Sequence, residues 1–291
     1  MGELKFKKRL LVFLVPALAV YLCFFILPFV QTISYSLCNW DGIMEPVFVG
    51  FANFKAVFQD KVFIDSVGRV VKWAFLAALI QPFMGLFIAN LLHGKVAGSG
   101  IFRSLYFLPV VISSAAVCVM FTVIYDNDIG LINGFLRLVG LSDWAHIWLG
   151  DVKVVFYACI AVPIWQSMGM FIVVMFSGLQ SVSGELIEAA KIDGANSAQL
   201  FLKIIIPLMM PIIQICVVLS ISNSFKNFDY IYMLTGGGPM NSTQVPATLM
   251  YARAFAGRKY GLGTAIAIVI VLLSSITVTI VKRIFKYLEE R

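Results

Sequence analysis

Stretches of about twenty consecutive apolar residues recur along this chain, a length set by bilayer thickness rather than by the needs of a soluble core. At 1.5 Å per residue, a helix needs roughly twenty residues to cross a hydrocarbon layer about 30 Å thick. Inside that layer the backbone must satisfy its own hydrogen bonds, which for runs this long means helices. Six spans are expected: Leu10–Ser36, Val70–Leu92, Ser104–Tyr125, Val154–Leu179, Ile204–Ser224 and Leu262–Val281. Composition agrees, with 60% hydrophobic and 13% charged residues, against about 25% charged in ordinary soluble domains. The chain therefore reads as an all-α polytopic membrane protein, residues 1–291 forming one transmembrane domain. The first run follows Lys5-Phe6-Lys7-Lys8-Arg9. It is too long for a signal-peptide core and lacks a small-x-small cleavage site after it, so a retained span is expected.

Six spans put both termini on one side, and charge selects the side. With the N-terminus inside, the inner segments are 1–9, 93–103, 180–203 and 282–291. They carry twelve of the 22 Lys and Arg residues but only six of the 15 acidic ones. The positive-inside rule then places both termini in the cytoplasm. The long outer loop Phe225–Gly261 dissents, with Lys226, Arg253, Arg258 and Lys259, but loops of that length count for less in the rule. The net charge of +7 belongs to span ends beside anionic headgroups and is no nucleic-acid signal. The five cysteines have neither metal nor redox spacing and read as small hydrophobes. His93 and His146 stand in separate loops, so no metal site is expected, and no nucleophile–base pair is placed for catalysis.

The inner segment 180–203 is unusually ordered for a connector. Ser183 can cap a helix whose first turn holds Glu185, where the helix dipole favours negative charge. "GELIEAAKI" supplies just over two turns, with Glu188 and Lys191 spaced to pair and Ala189 and Ala190 leaving a small-sided surface. Asp193-Gly194 ends it, because glycine readily takes the left-handed conformation of a helix end. Asn196 or Ser197 can cap a second helix running toward Pro207.

This stretch, Glu188-Ala189-Ala190, three residues, Gly194, nine residues, Ile204 and Pro207, resembles the cytoplasmic-loop signature of the permeases of binding-protein-dependent ABC importers. Ile206 replaces the usual Leu. The resemblance covers most of the chain and implies the type I ABC importer permease fold. It assigns ATPase coupling to Glu188, Ala189, Ala190, Asp193 and Gly194, the short helix docking on a separate ATPase. A second stretch, "FKNFDYIYMLTGGGPMNST" with "YARAFAGRKYGLGTAIA", resembles the carbohydrate-uptake, maltose-type branch. There Thr235, Gly236, Gly237, Gly238 and Pro239 form a sharp turn at the outer face. The glycines lack P-loop spacing, and "GLGTAI" lacks the third glycine of a dinucleotide site.

Polar side chains inside spans are costly and usually face a cavity or another helix. Gln166 lies near mid-membrane in the fourth span, with Met170 one turn on. Ser220, Asn223, Ser224 and Asn227 recur at three- and four-residue steps and share one face of the fifth span. Neutral amides and hydroxyls suit sugar hydroxyls, so these six residues are the expected substrate path. Interhelical packing is the competing role. Lys226 and Asp229 are spaced to pair at the outer mouth.

The resemblance implies one permease subunit of an ABC sugar importer in a bacterial cytoplasmic membrane. Its partners would be a second, homologous permease, two cytoplasmic ABC ATPases and an extracytoplasmic solute-binding protein, with a carbohydrate as cargo. The chain itself would be no enzyme and bind no cofactor, ATP and Mg belonging to the ATPase subunits. A permease for glycerol phosphate or another polyol is the alternative within the class. A secondary transporter or channel would need intramembrane ionisable residues, which the spans almost lack.

Overall fold

The computed structural model describes residues 14–93 and 99–289. The N-terminal basic run, Leu10 to Phe13 of the first expected span, Lys95 and Arg291 lie outside the described residues. Among the described residues the chain forms two compact units, 14–61 with Leu249–Val269, and 62–248 with 270–289.

In the first unit, α1 (Leu14–Ser36) contains a π-turn at Leu22–Ile26. Its large apolar side chains, from Leu14 to Ile33, stay exposed, a helix surface suited to lipid or a partner rather than to water. A short antiparallel hairpin follows, β1 (Cys38–Asn39) pairing with β2 (Val47–Phe48), then α2 (Ala52–Gln59). Asn53 Nδ2 donates to the carbonyls of Ser36 at 2.9 Å and Cys38 at 2.8 Å, groups freed where α1 ends. Arg253 Nη2 meets Asp60 Oδ2 at 2.7 Å. The Gly261 amide donates to the Trp40 carbonyl. A Cβ there would fall 1.9 Å from the Cys38 carbonyl oxygen, so only glycine allows that approach.

The second unit holds α3 (Lys61–His93), α4 (Ser99–Val111), α5 (Ser114–Ile124) and α6 (Leu131–Leu138). After them come α7 (Val155–Gln180), α8 (Gly184–Ile192), α9 (Ser197–Lys226) and α10 (Asp229–Thr235); α11 (Pro246–Tyr251) starts in the second unit and passes into the first at Leu249. The last helix, α12 (Tyr260–Glu289), begins among residues of the first unit and ends in the second. Five described helices, α1, α3, α7, α9 and α12, are long and apolar enough to cross a membrane.

The third expected span is not one helix. Its two halves, Ser104–Val111 and Ser114–Ile124, meet at 103°. Pro109 lacks the N–H that would continue the ladder. Ser113 takes an extended conformation, and its hydroxyl accepts from the Ala116 amide, capping a new helix. Joined, the halves are long and apolar enough to count as the sixth span.

The core of this unit gathers on α7, whose buried face includes Val155, Cys159, Phe171, Ile172 and Met175. Trp73 and Leu86 of α3, Met209, Cys216 and Phe225 of α9, and Ile231 of α10 complete it. Helices α4 and α7 approach backbone to backbone: a Cβ on Gly169 would lie 2.0 Å from the Tyr106 carbonyl oxygen. Small residues permit such contacts, which drive helix association where no hydrophobic force operates. Cys118, Cys159 and Cys216 are buried and unbridged among these side chains.

Candidate functional site

A cavity of about 320 Å³ opens among α3, α7, α9 and the start of α10. Trp73, Ala77 and Gln81 line it from α3, Pro163, Ile164 and Ser167 from α7. Ser220, Asn223, Ser224 and Lys226 come from α9, continuing into Asn227, Phe228, Asp229 and Tyr230. The four residues expected on one face of the fifth span are thus brought together. Helix periodicity explains it, since positions three and four apart stack on one side.

The wall is polar in an ordered way. Gln81 Nε2 donates to Ser167 Oγ at 2.6 Å, and Ser167 Oγ donates to the Pro163 carbonyl at 2.6 Å. That carbonyl lies one turn earlier on the same helix. Ser224 Oγ donates to the Ser220 carbonyl at 2.9 Å. Two buried oxygens on the lining residues, Ser220 Oγ and Asn227 Oδ1, have no protein partner. Ser220 is 1% exposed, and leaving such a group unbonded costs free energy unless something else bonds it.

Gln166 does not line this cavity. It is buried, and its Nε2 donates to the carbonyls of Pro109 at 3.1 Å and Ile112 at 2.8 Å. These carbonyls flank the break between α4 and α5. Tyr230, which does line the cavity, donates its hydroxyl to Gln166 Oε1 at 2.6 Å. The Gln166 side chain is a clasp on the broken span. Met170, half-buried one turn on, is also absent from the lining. Gln81, Trp73 and Tyr230 were missed in the sequence reading. An amide in the middle of an apolar run was the available signal for Gln81. Nothing local marks Trp73 or Tyr230.

Lys226 and Asp229 do not pair: the described ion pairs are Arg253–Asp60 and a 3.9 Å contact of His146 with Asp151. Asp229 Oδ2 instead accepts from Ser114 Oγ at 3.2 Å, next to the break. Both charged residues are exposed at the cavity margin. No cluster of His, Cys, Asp or Glu able to hold a metal occurs among the described residues.

On the loop 180–203, Ser183 holds the N-cap position of α8 without a side-chain cap bond. Gly194, at φ +83°, closes the helix with two backbone bonds, Gly194 N to Lys191 O and Ala195 N to Ala190 O. That is the left-handed glycine stop. Asn196 caps the next helix in a reciprocal box with Gln199. Glu188, Ala189, Asp193 and Gly194 are exposed, and Ala190 is buried. Glu188 and Lys191, though three apart, form no ion pair. Ile192 is 85% exposed, an apolar tip that the sequence reading passed over.

The turn Thr235–Pro239 is rigidly built. Gly236 caps α10 in the left-handed region at φ +60°. Gly237, at φ +95°, has the Gln244 amide where a side chain would sit. Thr243 Oγ1 donates to the Gly238 carbonyl and lies 2.8 Å from Thr235 Oγ1. Arg69 Nη1 holds the Gln244 carbonyl at 2.9 Å. The bond from Gly238 to Pro239 is cis.

Residues 81–291 match the family described as binding-protein-dependent transport system inner membrane component. The chain belongs to that family. This permease is 35% identical over 265 residues to the probable ABC transporter permease protein YurN of Bacillus subtilis, covering 90% of each chain. It is 32% identical over 265 residues to the multiple sugar-binding transport system permease protein MsmF of Streptococcus mutans, covering 91% of this chain and 90% of the other. Its fold matches a chain in the crystal structure of a bacterial alginate ABC transporter in complex with an alginate pentasaccharide-bound periplasmic protein. The TM-score is 0.85 at 21% identity, over 99% of this permease and 97% of that chain. The type I importer permease fold expected from the loop signature is therefore the fold observed, and the ATPase of such a system is a different subunit.

Proposed function

We propose that this permease forms half of the translocation path for a sugar or oligosaccharide, with the cavity of α3, α7 and α9 as the place where the sugar passes. The observation that carries this reading is the pair of orphaned oxygens, Ser220 Oγ and Asn227 Oδ1, on a wall of neutral amides and hydroxyls. A sugar offers many hydroxyl donors and no net charge, which is what such a wall can bond. Trp73 and Phe228 add apolar ring surface. The sugar-transport relatives support the same substrate class. A phosphate ester would call for several cations, and the cavity margin offers Lys226 with Asp229 beside it.

Both termini and the loop 180–203 face the cytoplasm in this reading. Helix α8 docks in a groove on a separate ATPase, which binds the ATP and Mg. A second permease supplies the other half of the path and engages the second ATPase. A solute-binding protein delivers the sugar to the opposite face, near the turn Thr235–Pro239. ATP-driven closure of the ATPases moves α8, and the spans reorient around the cavity.

Ser220→Ala tests the substrate path. The hydroxyl has no protein partner, so the variant should fold and assemble as stably as the parent. Sugar transport should fall by roughly 2- to 10-fold, the equivalent of one hydrogen bond worth about 0.5–1.5 kcal/mol. Unaltered uptake at limiting substrate would refute the assignment.

A further inference from the structure

The segment between α5 and α7 carries an apolar face that no described part of the protein covers. In α6, Leu131, Phe135 and Leu138 follow at four and three residues and so share one face. They are 71%, 64% and 84% exposed. Asn133, on the opposite side, is fully buried. Its side chain donates to the His146 carbonyl at 3.0 Å and accepts from Trp148 Nε1 at 2.8 Å. Arg137 also turns away from the apolar face, donating to the Asn127 carbonyl at 2.8 Å. Both ends of the helix are set. Asp126 accepts from the amides of Asp128 and Ile129 ahead of it. Behind it, Gly140 N bonds Arg137 O and Leu141 N bonds Leu136 O around a left-handed glycine.

The depth of this helix is tied to the spans. Trp148, bonded to Asn133, lies 6.0 Å centroid to centroid from the ring of Tyr125. Tyr125 Oη donates to the Ala158 carbonyl in the first turn of α7. The chain from α7 through Tyr125 and Trp148 to Asn133 therefore holds α6 beside the end of the fourth span. Six residues separate it from Ile124, the end of the third, a reach of at most about 25 Å.

From this placement we propose that α6 is an interfacial foot, its Leu131–Phe135–Leu138 face seated in the headgroup boundary of the bilayer. An uncharged face held at the level where spans leave the hydrocarbon meets lipid rather than water. Trp144, exposed on the same connector, belongs to a residue type enriched at that boundary. Amphipathic helices bind there by burying their apolar side to a depth of about 5–10 Å. The foot would brace the outer end of the broken third span against the membrane surface.

Spin labels test this on the assembled transporter in lipid nanodiscs, with Cys23 and Cys38 replaced by Ser. Labels at Leu131→Cys, Phe135→Cys and Leu138→Cys should be open to oxygen and several-fold less accessible to a water-soluble nickel chelate than a label at Arg137→Cys. Equal nickel access at all four positions would overturn the proposal. So would shielding from both probes, which means protein packing, or shielding only after the loaded binding protein is added, which makes the face a docking site for that protein. If the labelled variants fail to assemble, hydroxyl-radical footprinting of the unaltered transporter decides. Normalised for residue type, Phe135 should oxidise as slowly as Phe87 of the second span; oxidation as fast as at Met240 refutes lipid contact. Neither readout depends on the cargo, so failure here leaves the sugar assignment standing, and the converse.

Discussion

Replacing Gln166 with Leu separates a clasp from a sugar contact. In the native protein one amide satisfies three groups: the carbonyls of Pro109 and Ile112 and the hydroxyl of Tyr230. Leucine fills nearly the same volume and bonds none of them. Hydrogen bonds between membrane helices average about 0.6 kcal/mol and reach about 1.7, so three lost bonds amount to roughly 2–5 kcal/mol. Part returns through the apolar gain of leucine, about 1.5–3 kcal/mol for a fully buried side chain, leaving a net loss of about 0.5–2 kcal/mol. Against a total of about 5–15 kcal/mol this is a large fraction, visible as a lowered unfolding midpoint of the purified transporter in nanodiscs. Because the freed carbonyls flank the break, the α4–α5 bend should also loosen, read as broader distance distributions between labels placed on those helices. Gln166→Glu should be at least as damaging, since a carboxylate would face two carbonyls. The reasoning fails if the Leu variant keeps its midpoint and its distance distribution yet loses sugar transport. That outcome would return Gln166 to the substrate path.

Other perturbations probe the remaining contacts. Gly169→Ala pushes a Cβ against the Tyr106 carbonyl and should cost about 1–3 kcal/mol by overpacking, measured as lost thermal stability of the complex. Gly194→Val forces a β-branched residue to φ +83°, about 1–3 kcal/mol of local strain. ATPase activity should then persist without binding-protein-stimulated uptake. Ile192→Asp changes an exposed tip and should leave the isolated permease as stable as before. Co-purification of the ATPase should fall if α8 docks there; unchanged recovery would exclude Ile192 from that contact.

What could be read in the residue order depended on how far each signal reached. Five of the six expected spans were legible as helices long and apolar enough to cross, because bilayer thickness imposes a length on every crossing segment. The glycine stop at Gly194 and the cap at Asn196 were legible because they are settled within a few residues. The fifth-span face emerged from spacing alone, and Ser220, Asn223, Ser224 and Asn227 do meet one cavity. Other features need partners distant in the chain. The break at Ser113 had local signals in Pro109 and Ser113, but the glutamine 53 positions later that receives its carbonyls could not be read from nearby residues. Gln166 looked like a lining residue because burial and lining both predict a polar group at mid-span. Lys226 and Asp229 have the spacing of a helical pair, but the chain leaves the helix at Asn227, extended at ψ 122°. Three-residue spacing across such a corner does not bring side chains together.

The neighbours Gln166 and Ser167 show why the cavity and the broken span cannot vary independently. Successive residues of a helix point about 100° apart, so α7 presents Ser167 to the cavity and Gln166 to the break. Tyr230 closes the circuit, with its ring on the cavity wall and its hydroxyl on Gln166. Asp229, one residue earlier, accepts from Ser114 at the first turn of α5. A displacement of the α9–α10 corner that opens or fills the cavity must therefore carry the clasp with it or break two hydrogen bonds to do so. The bond from Tyr230 to buried Gln166 is the costlier to break, since Gln166 would be left without that partner, whereas the Ser114–Asp229 bond is exposed. The cheaper motion keeps α10, the break and the middle of α7 together as one piece and lets the packing of apolar side chains around them slide. On that ground the proposed reorientation of the spans would leave this triangle intact, with Ser220 and Asn223 of α9 lining the same cavity.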